Sequence, residues 1–142
     1  MTKEIVVSGA LGKMGQEVVK LVDRTAEFEL VGAVDVTKTG EQIEEVLGLD
    51  NVSAEITDDL ALTLKEVNAD VVVDFTTPQV VMDNIETVCQ AGVDMVVGTT
   101  GITEADLKKI EELTEVDNNN VIIARNFAIG AILMMEFSKK AA

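Results

Sequence analysis

Apolar positions along this chain fall into two alternating patterns, short unbroken β-branched runs and longer stretches at helical spacing, and these predict strand and helix in turn. The first run, Ile5-Val6-Val7, breaks into Gly9, Gly12 and Gly15 and resumes at helical spacing with Val18, Val19 and Val22. It reads as a strand, a tight turn and a helix from about Lys13 to the polar break Asp23-Arg24-Thr25. A second strand-like run, Phe28 to Val34, closes on Asp35. Thr37 to Gly40 is then a loop, and Glu41 to Val46 a short helical turn. Gly48 to Asp59 is an irregular excursion with one brief strand at Ser53 to Ile56.

The second half repeats the alternation. A helix is expected from Asp59 through Leu60, Leu62, Leu64 and Val67, followed by the strand Asp70 to Phe75. Thr77 suits a helix N-cap and Pro78 the first helical position, where its missing N–H costs nothing. That helix runs through Val80, Val81, Ile85, Val88 and Cys89 to Ala91, and Gly92 stops it. The strand Asp94 to Val97 leads into Gly98-Thr99-Thr100-Gly101, and Thr103 to Asp106 has the pattern of a capping box. The helix it opens carries Leu107, Ile110 and Leu113 on one face and ends at the turn Asp117 to Asn120. A last strand, Val121 to Ala124, precedes Arg125-Asn126-Phe127 and a final helix from about Gly130.

Such alternation predicts an α/β fold, a doubly wound and mostly parallel sheet whose ligands bind beyond the carboxyl ends of the strands. With 142 residues, 47% of them hydrophobic, the chain suits a single domain over 1–142. No run approaches a membrane span and no apolar signal core precedes the first strand, so a cytoplasmic protein without a membrane partner is expected. The net charge of −15, from 26 acids and 11 bases, argues against nucleic acid as a partner. Acid clusters such as Glu41, Glu44 and Glu45 read as solvated faces, and no metal site is expected. Cys89, the only cysteine, reads more readily as a small buried hydrophobe than as a reactive thiol. Histidine is absent, which leaves the chain poorly equipped for proton chemistry, and no residue is assigned a catalytic role.

The candidate chemistry lies at the strand ends. Gly9 lets the chain leave the first strand in a conformation a Cβ forbids, Gly12 lets the backbone approach a diphosphate, and Gly15 lets the helix pack on the strand. Asp35, about 20 residues past the last glycine, stands where a dinucleotide site wants a partner for ribose hydroxyls. Gly98-Thr99-Thr100-Gly101 and Arg125-Asn126-Phe127 complete the rim. Each has a bland reading: a glycine-rich turn that binds nothing, a plain Gly-Thr-Thr-Gly turn, an Asn126 that only satisfies its own backbone. All four together favour a cofactor site.

The ordered motifs Val6 to Gly15, Asp74-Phe75-Thr76-Thr77-Pro78, Gly98-Thr99-Thr100-Gly101 and Ala124 to Gly130 resemble those of the amino-terminal domain of the 4-hydroxy-tetrahydrodipicolinate reductase (dihydrodipicolinate reductase) family. The resemblance implies a Rossmann-like domain of a nicotinamide-dependent reductase on the diaminopimelate route to lysine. By it, Gly9, Ala10, Leu11, Gly12, Lys13 and Met14 would wrap the pyrophosphate and Asp35 would hold the adenosine ribose. Gly98, Thr99 and Thr100, with Ala124, Arg125, Asn126 and Phe127, would border the nicotinamide, and Thr100 would also face the substrate. The acid at position 35 slightly favours NADH over NADPH, a preference that nearby Lys38 softens.

Arg125 departs from the family's usual proline or alanine, and Ala128 from its usual serine. The family's second domain, with its paired histidines, catalytic lysine and carboxylate-gripping turn, would follow where this chain stops. The chain is therefore expected to bind cofactor without turning over the cyclic imine dicarboxylate substrate of the complete enzyme, which is a homo-oligomer in the family. Ile129, Ile132, Leu133, Met134, Met135 and Phe137 make the terminal helix apolar on most sides, which suits contact with an absent domain or another subunit. A stand-alone, non-catalytic dinucleotide-binding module is the alternative, and an aspartate or homoserine dehydrogenase domain a more distant one.

Overall fold

Val6, Val7 and Val72 have no exposed surface at all, which places them at the centre of a sheet covered on both faces. The computed structural model describes residues 1–124. Among them six strands form one parallel sheet: β1 (Lys3–Ser8), β2 (Phe28–Val34), β3 (Ile56–Thr57), β4 (Val71–Asp74), β5 (Asp94–Val97) and β6 (Val121–Ile123). Their spatial order is β3-β2-β1-β4-β5-β6. Chain order reverses between β1 and β4, and a crevice opens at the carboxyl ends of those two strands, as the doubly wound reading requires.

Among the described residues five helices cover the sheet: α1 (Lys13–Asp23), α2 (Ile43–Leu47), α3 (Leu60–Glu66), α4 (Val81–Gln90) and α5 (Glu104–Asp117). Strand side chains alternate between two cores, so Ile5 and Val7 pack with Val19, Val22 and Ile43, while Val6 packs with Val81, Ile85 and Val88. Each such fully buried Val or Ile contributes about 1.5–3 kcal/mol. The alternation slips once. Leu30 pairs with Ile5 and Gly32 with Val6, so Val31 is an extra residue opposite that step, a β-bulge.

Several boundaries differ from the pattern-based expectation. Helix α2 is Ile43–Leu47 rather than Glu41 to Val46, and β4 is Val71–Asp74 rather than Asp70 to Phe75. The brief strand is Ile56–Thr57 rather than Ser53 to Ile56. The preceding residues bond instead to the segment around α2: Ala54 accepts from the Ile43 N–H, and Glu55 bridges Gln42. Helix α4 begins at Val81, not at Pro78, so Thr77 is not its N-cap. The Thr77 carbonyl accepts from both Val80 and Val81 in a separate turn, and Val80, at φ −118°, is off the helical value. Strand β6 stops at Ile123, although the Ala124 N–H still reaches the Val97 carbonyl at 2.9 Å. Elsewhere the punctuation matches: Gly92, at φ +68°, follows α4, and Thr103 and Asp106 form the full capping box of α5. The helix expected from Gly130 lies outside the described residues.

Cys89 is fully buried in the core of α4, and burial pushes its thiol up from 9.0, which suits the inert hydrophobe and not the reactive thiol. Among the described residues no helix is long and apolar enough to cross a membrane, and no cluster of three or more His, Cys, Asp or Glu could hold a metal ion.

Candidate functional site

The first βα corner is built by side chains that are not there. Gly9 sits at φ +77°, and a Cβ on it would collide with the Phe75 carbonyl. A Cβ on Gly15 would collide with the Gly9 carbonyl, so α1 lies against the turn at a distance only glycine permits. Most of the turn's amides are used internally. Gly9 and Ala10 donate to the Val34 carbonyl at 2.8 and 3.1 Å, Gly12 donates to Gly9 at 3.1 Å, and Leu11 donates to Asp35 Oδ2 at 2.9 Å. The first turn of α1, at Lys13 and Met14, carries amides with no intrahelical acceptor, at the positive end of the helix dipole.

Asp35 closes β2 and reaches across to this turn. Its Oδ1 accepts from the Thr37 N–H at 3.0 Å and the Thr37 hydroxyl at 2.8 Å, while Oδ2 takes Leu11. An acid at the end of the second strand is thereby fixed beside the start of the first helix.

On the other side of the strand reversal, the corner is built by a buried carboxylate. Asp74, the last residue of β4, has no exposed surface. Its Oδ1 accepts from the Thr76 N–H (3.1 Å), the Thr76 hydroxyl (2.7 Å) and the Thr99 hydroxyl (2.7 Å). Its Oδ2 accepts from Asn84 Nδ2 at 2.8 Å, on α4. Thr99 Oγ1 in turn accepts from the Thr76 N–H at 2.9 Å. Two loops and a helix are therefore tied to one side chain.

Between the two corners lies a cleft of about 700 Å3, well within the size range of small-molecule sites. It brings together Gly9, Gly12, Lys13, Met14, Asp35, Gly98, Thr99 and Thr100 of the residues read from sequence. Ala10 and Leu11 do not line it: Ala10 is buried in the core and Leu11 packs against the same cluster. Ala124, at the end of β6, is not among its lining residues, and Arg125, Asn126 and Phe127 lie outside the described residues. Sequence reasoning gave no role to Asp74, Thr76, Asn84, Val36 or Asp58, all of which border the cleft or brace it. An acid ending an otherwise apolar β-branched strand was the available signal for Asp74. Nothing local marks Asn84, which reaches Asp74 only through the packing of α4.

A parallel sheet in this order, with a glycine corner, an acid after β2 and a cleft at the reversal, defines a Rossmann-type nucleotide-binding domain. Residues 3–127 match the family model described as Dihydrodipicolinate reductase, N-terminus, and the chain belongs to that family. It is 45% identical to the 4-hydroxy-tetrahydrodipicolinate reductase of Bacillus velezensis over 141 residues, 99% of this chain and 52% of that protein. The Syntrophomonas wolfei protein of the same name is 41% identical, over 97% of this chain and 52% of its own length. Among solved structures, a dipicolinate-bound dihydrodipicolinate reductase from a Paenisporosarcina species matches with a TM-score of 0.79 and 35% identity, over 100% of this chain and 54% of that one. The WlbA dehydrogenase of Bordetella pertussis, solved with NADH and UDP-GlcNAcA, shares the fold alone, at 18% identity and a TM-score of 0.74 over 95% of this chain and 40% of that one. The chain spans about half the length of the curated relatives it matches.

Proposed function

We propose that this chain is the cofactor-holding part of a 4-hydroxy-tetrahydrodipicolinate reductase and that its cleft takes NADH or NADPH. What carries the reading is one juxtaposition: the open start of α1 and the Asp35 carboxylate meet on a single cleft at the strand reversal. The residues suit a dinucleotide. The amides of Lys13 and Met14, with the bare backbone of Gly12, can take a diphosphate. Asp35, already oriented by Thr37 and Leu11, can accept from both hydroxyls of the adenosine ribose and would repel a 2′-phosphate, so NADH is favoured, with Lys38 close enough in sequence to soften the preference. Gly98, Thr99 and Thr100, joined by Ala124, Arg125, Asn126 and Phe127 on the strength of the family resemblance, would border the nicotinamide.

The bound cofactor supplies a hydride; this chain's own residues bind it, orient it and hold the two rims apart. The reductase substrate would be the cyclic imine dicarboxylate of the family, and the setting the cytoplasmic synthesis of diaminopimelate and lysine. On the strength of the family resemblance, this chain positions the cofactor and leaves proton donation to other groups. Fluorescence titration with NADH and NADPH tests the reading. Saturable binding is expected, tighter for NADH, and Gly12→Asp should weaken both at least about tenfold by placing a carboxylate against the diphosphate. A Cβ at Gly12 would lie 3.3 Å from the Gly9 carbonyl, a tight contact, so Gly12→Ala is the control that separates crowding of the turn from charge in the site. Absence of saturable binding by the unaltered chain would overturn the proposal.

A further inference from the structure

The Asp74 carboxylate is wholly buried, and among the described residues its partners are hydroxyls and amides with no lysine or arginine in contact. It follows Val71, Val72 and Val73, where a fourth valine would complete the strand without desolvating a charge. What the carboxylate does that a valine could not is hold three segments in register: Thr76 in the loop after β4, Thr99 in the loop after β5, and Asn84 on α4. The Thr99 hydroxyl has spent its proton on Asp74 and accepts from Thr76, so Thr99 can donate to a ligand through its main chain only. Thr100, by contrast, is exposed at the cleft.

We propose that Asp74 is a positioning residue: through Thr76 and Thr99 it sets the spacing of the two loops that receive the nicotinamide half of the dinucleotide. The inference rests on the cofactor reading above. A doubly wound sheet binds one mononucleotide on each side of its reversal, and Asp35 assigns the adenosine half to the β2 side. The β4–β5 side, which Asp74 braces, is left to the nicotinamide half.

The test compares NADH with ADP, which occupies only the adenosine and diphosphate positions, on the full chain and on Asp74→Ala, Thr99→Val and Thr99→Ser. Asp74→Ala and Thr99→Val should each weaken NADH about tenfold, because buried partners are left unpaired, and leave ADP within about twofold. Thr99→Ser returns the hydroxyl and should recover most of what Thr99→Val loses. Equal losses for ADP and NADH would show a merely structural role and overturn the inference, as would unchanged NADH affinity. If Asp74→Ala does not fold, the two Thr99 variants decide the question by the same ratio. Failure of the unaltered chain to bind NADH would overturn the cofactor reading itself, whereas normal binding with insensitive variants would overturn only the role of Asp74.

Discussion

The two corners facing each other across the strand reversal are made in opposite ways. At the first, space is created by omission: Gly9 and Gly15 let main chain meet main chain, and a Cβ at either position would strike a carbonyl. At the second, the main chain is held by one charged side chain that gathers donors from residues 2, 10 and 25 positions away. The first leaves no room for a side chain at Gly9 or Gly15. The second leaves donors and acceptors unpaired if a side chain is removed.

That contrast can be broken by experiment. The largest effect is expected for Gly15→Val, which forces α1 off the turn and should cost about 3 kcal/mol or more in urea unfolding. A cost under about 1 kcal/mol would mean that the helix can slide, and that close approach does not define the first corner. Removal at the second corner should be milder. Asn84→Ala strips Asp74 Oδ2 of its donor and should cost about 1–3 kcal/mol, the penalty of one buried acceptor left unpaired.

A cap remote from both corners supplies the baseline. Thr103→Ala should cost about 1 kcal/mol, the usual worth of an N-cap hydroxyl. The Thr103 N–H and hydroxyl also hold the Asp106 carboxyl below its ordinary value of 3.8. The stability this adds is present above pH 3.8 and is lost as pH falls through the lowered folded value. Acid titration of unfolding should therefore show a shallower decline in Thr103→Ala than in the unaltered chain. If the two curves run parallel, the Thr103 hydroxyl contributes nothing through charge and the main-chain N–H, which Thr103→Ala keeps, holds the carboxyl alone.

The same contrast explains what could be read from the residues alone. Gly9, Gly12 and Gly15 announce their corner because glycine at fixed spacing has a local meaning, and Asp35 follows at a distance that the βαβ unit dictates. The parallel, doubly wound sheet was likewise written in the β-branched runs. The Asp74 network was not, since the meeting of Asn84 and Thr99 with Asp74 depends on how α4 and β5 pack. The start of α4 differs from the pattern for a related reason: Thr77 and Pro78 have the composition of a helix start, but their turn is completed before the helix begins. Ala10 and Leu11 sit inside the glycine motif, yet one faces the core and the other gives its amide to Asp35.

The bulge at Val31 gives β2 one residue to spare. Its neighbours pair with consecutive positions of β1, Leu30 with Ile5 and Gly32 with Val6, so excising Val31 would leave an uninterrupted ladder with every other partner preserved. Asp35 would stay where it is. The chain thus carries a built-in allowance for a change in length, placed upstream of the rim so that the strand can shorten without re-aiming the acid at its end.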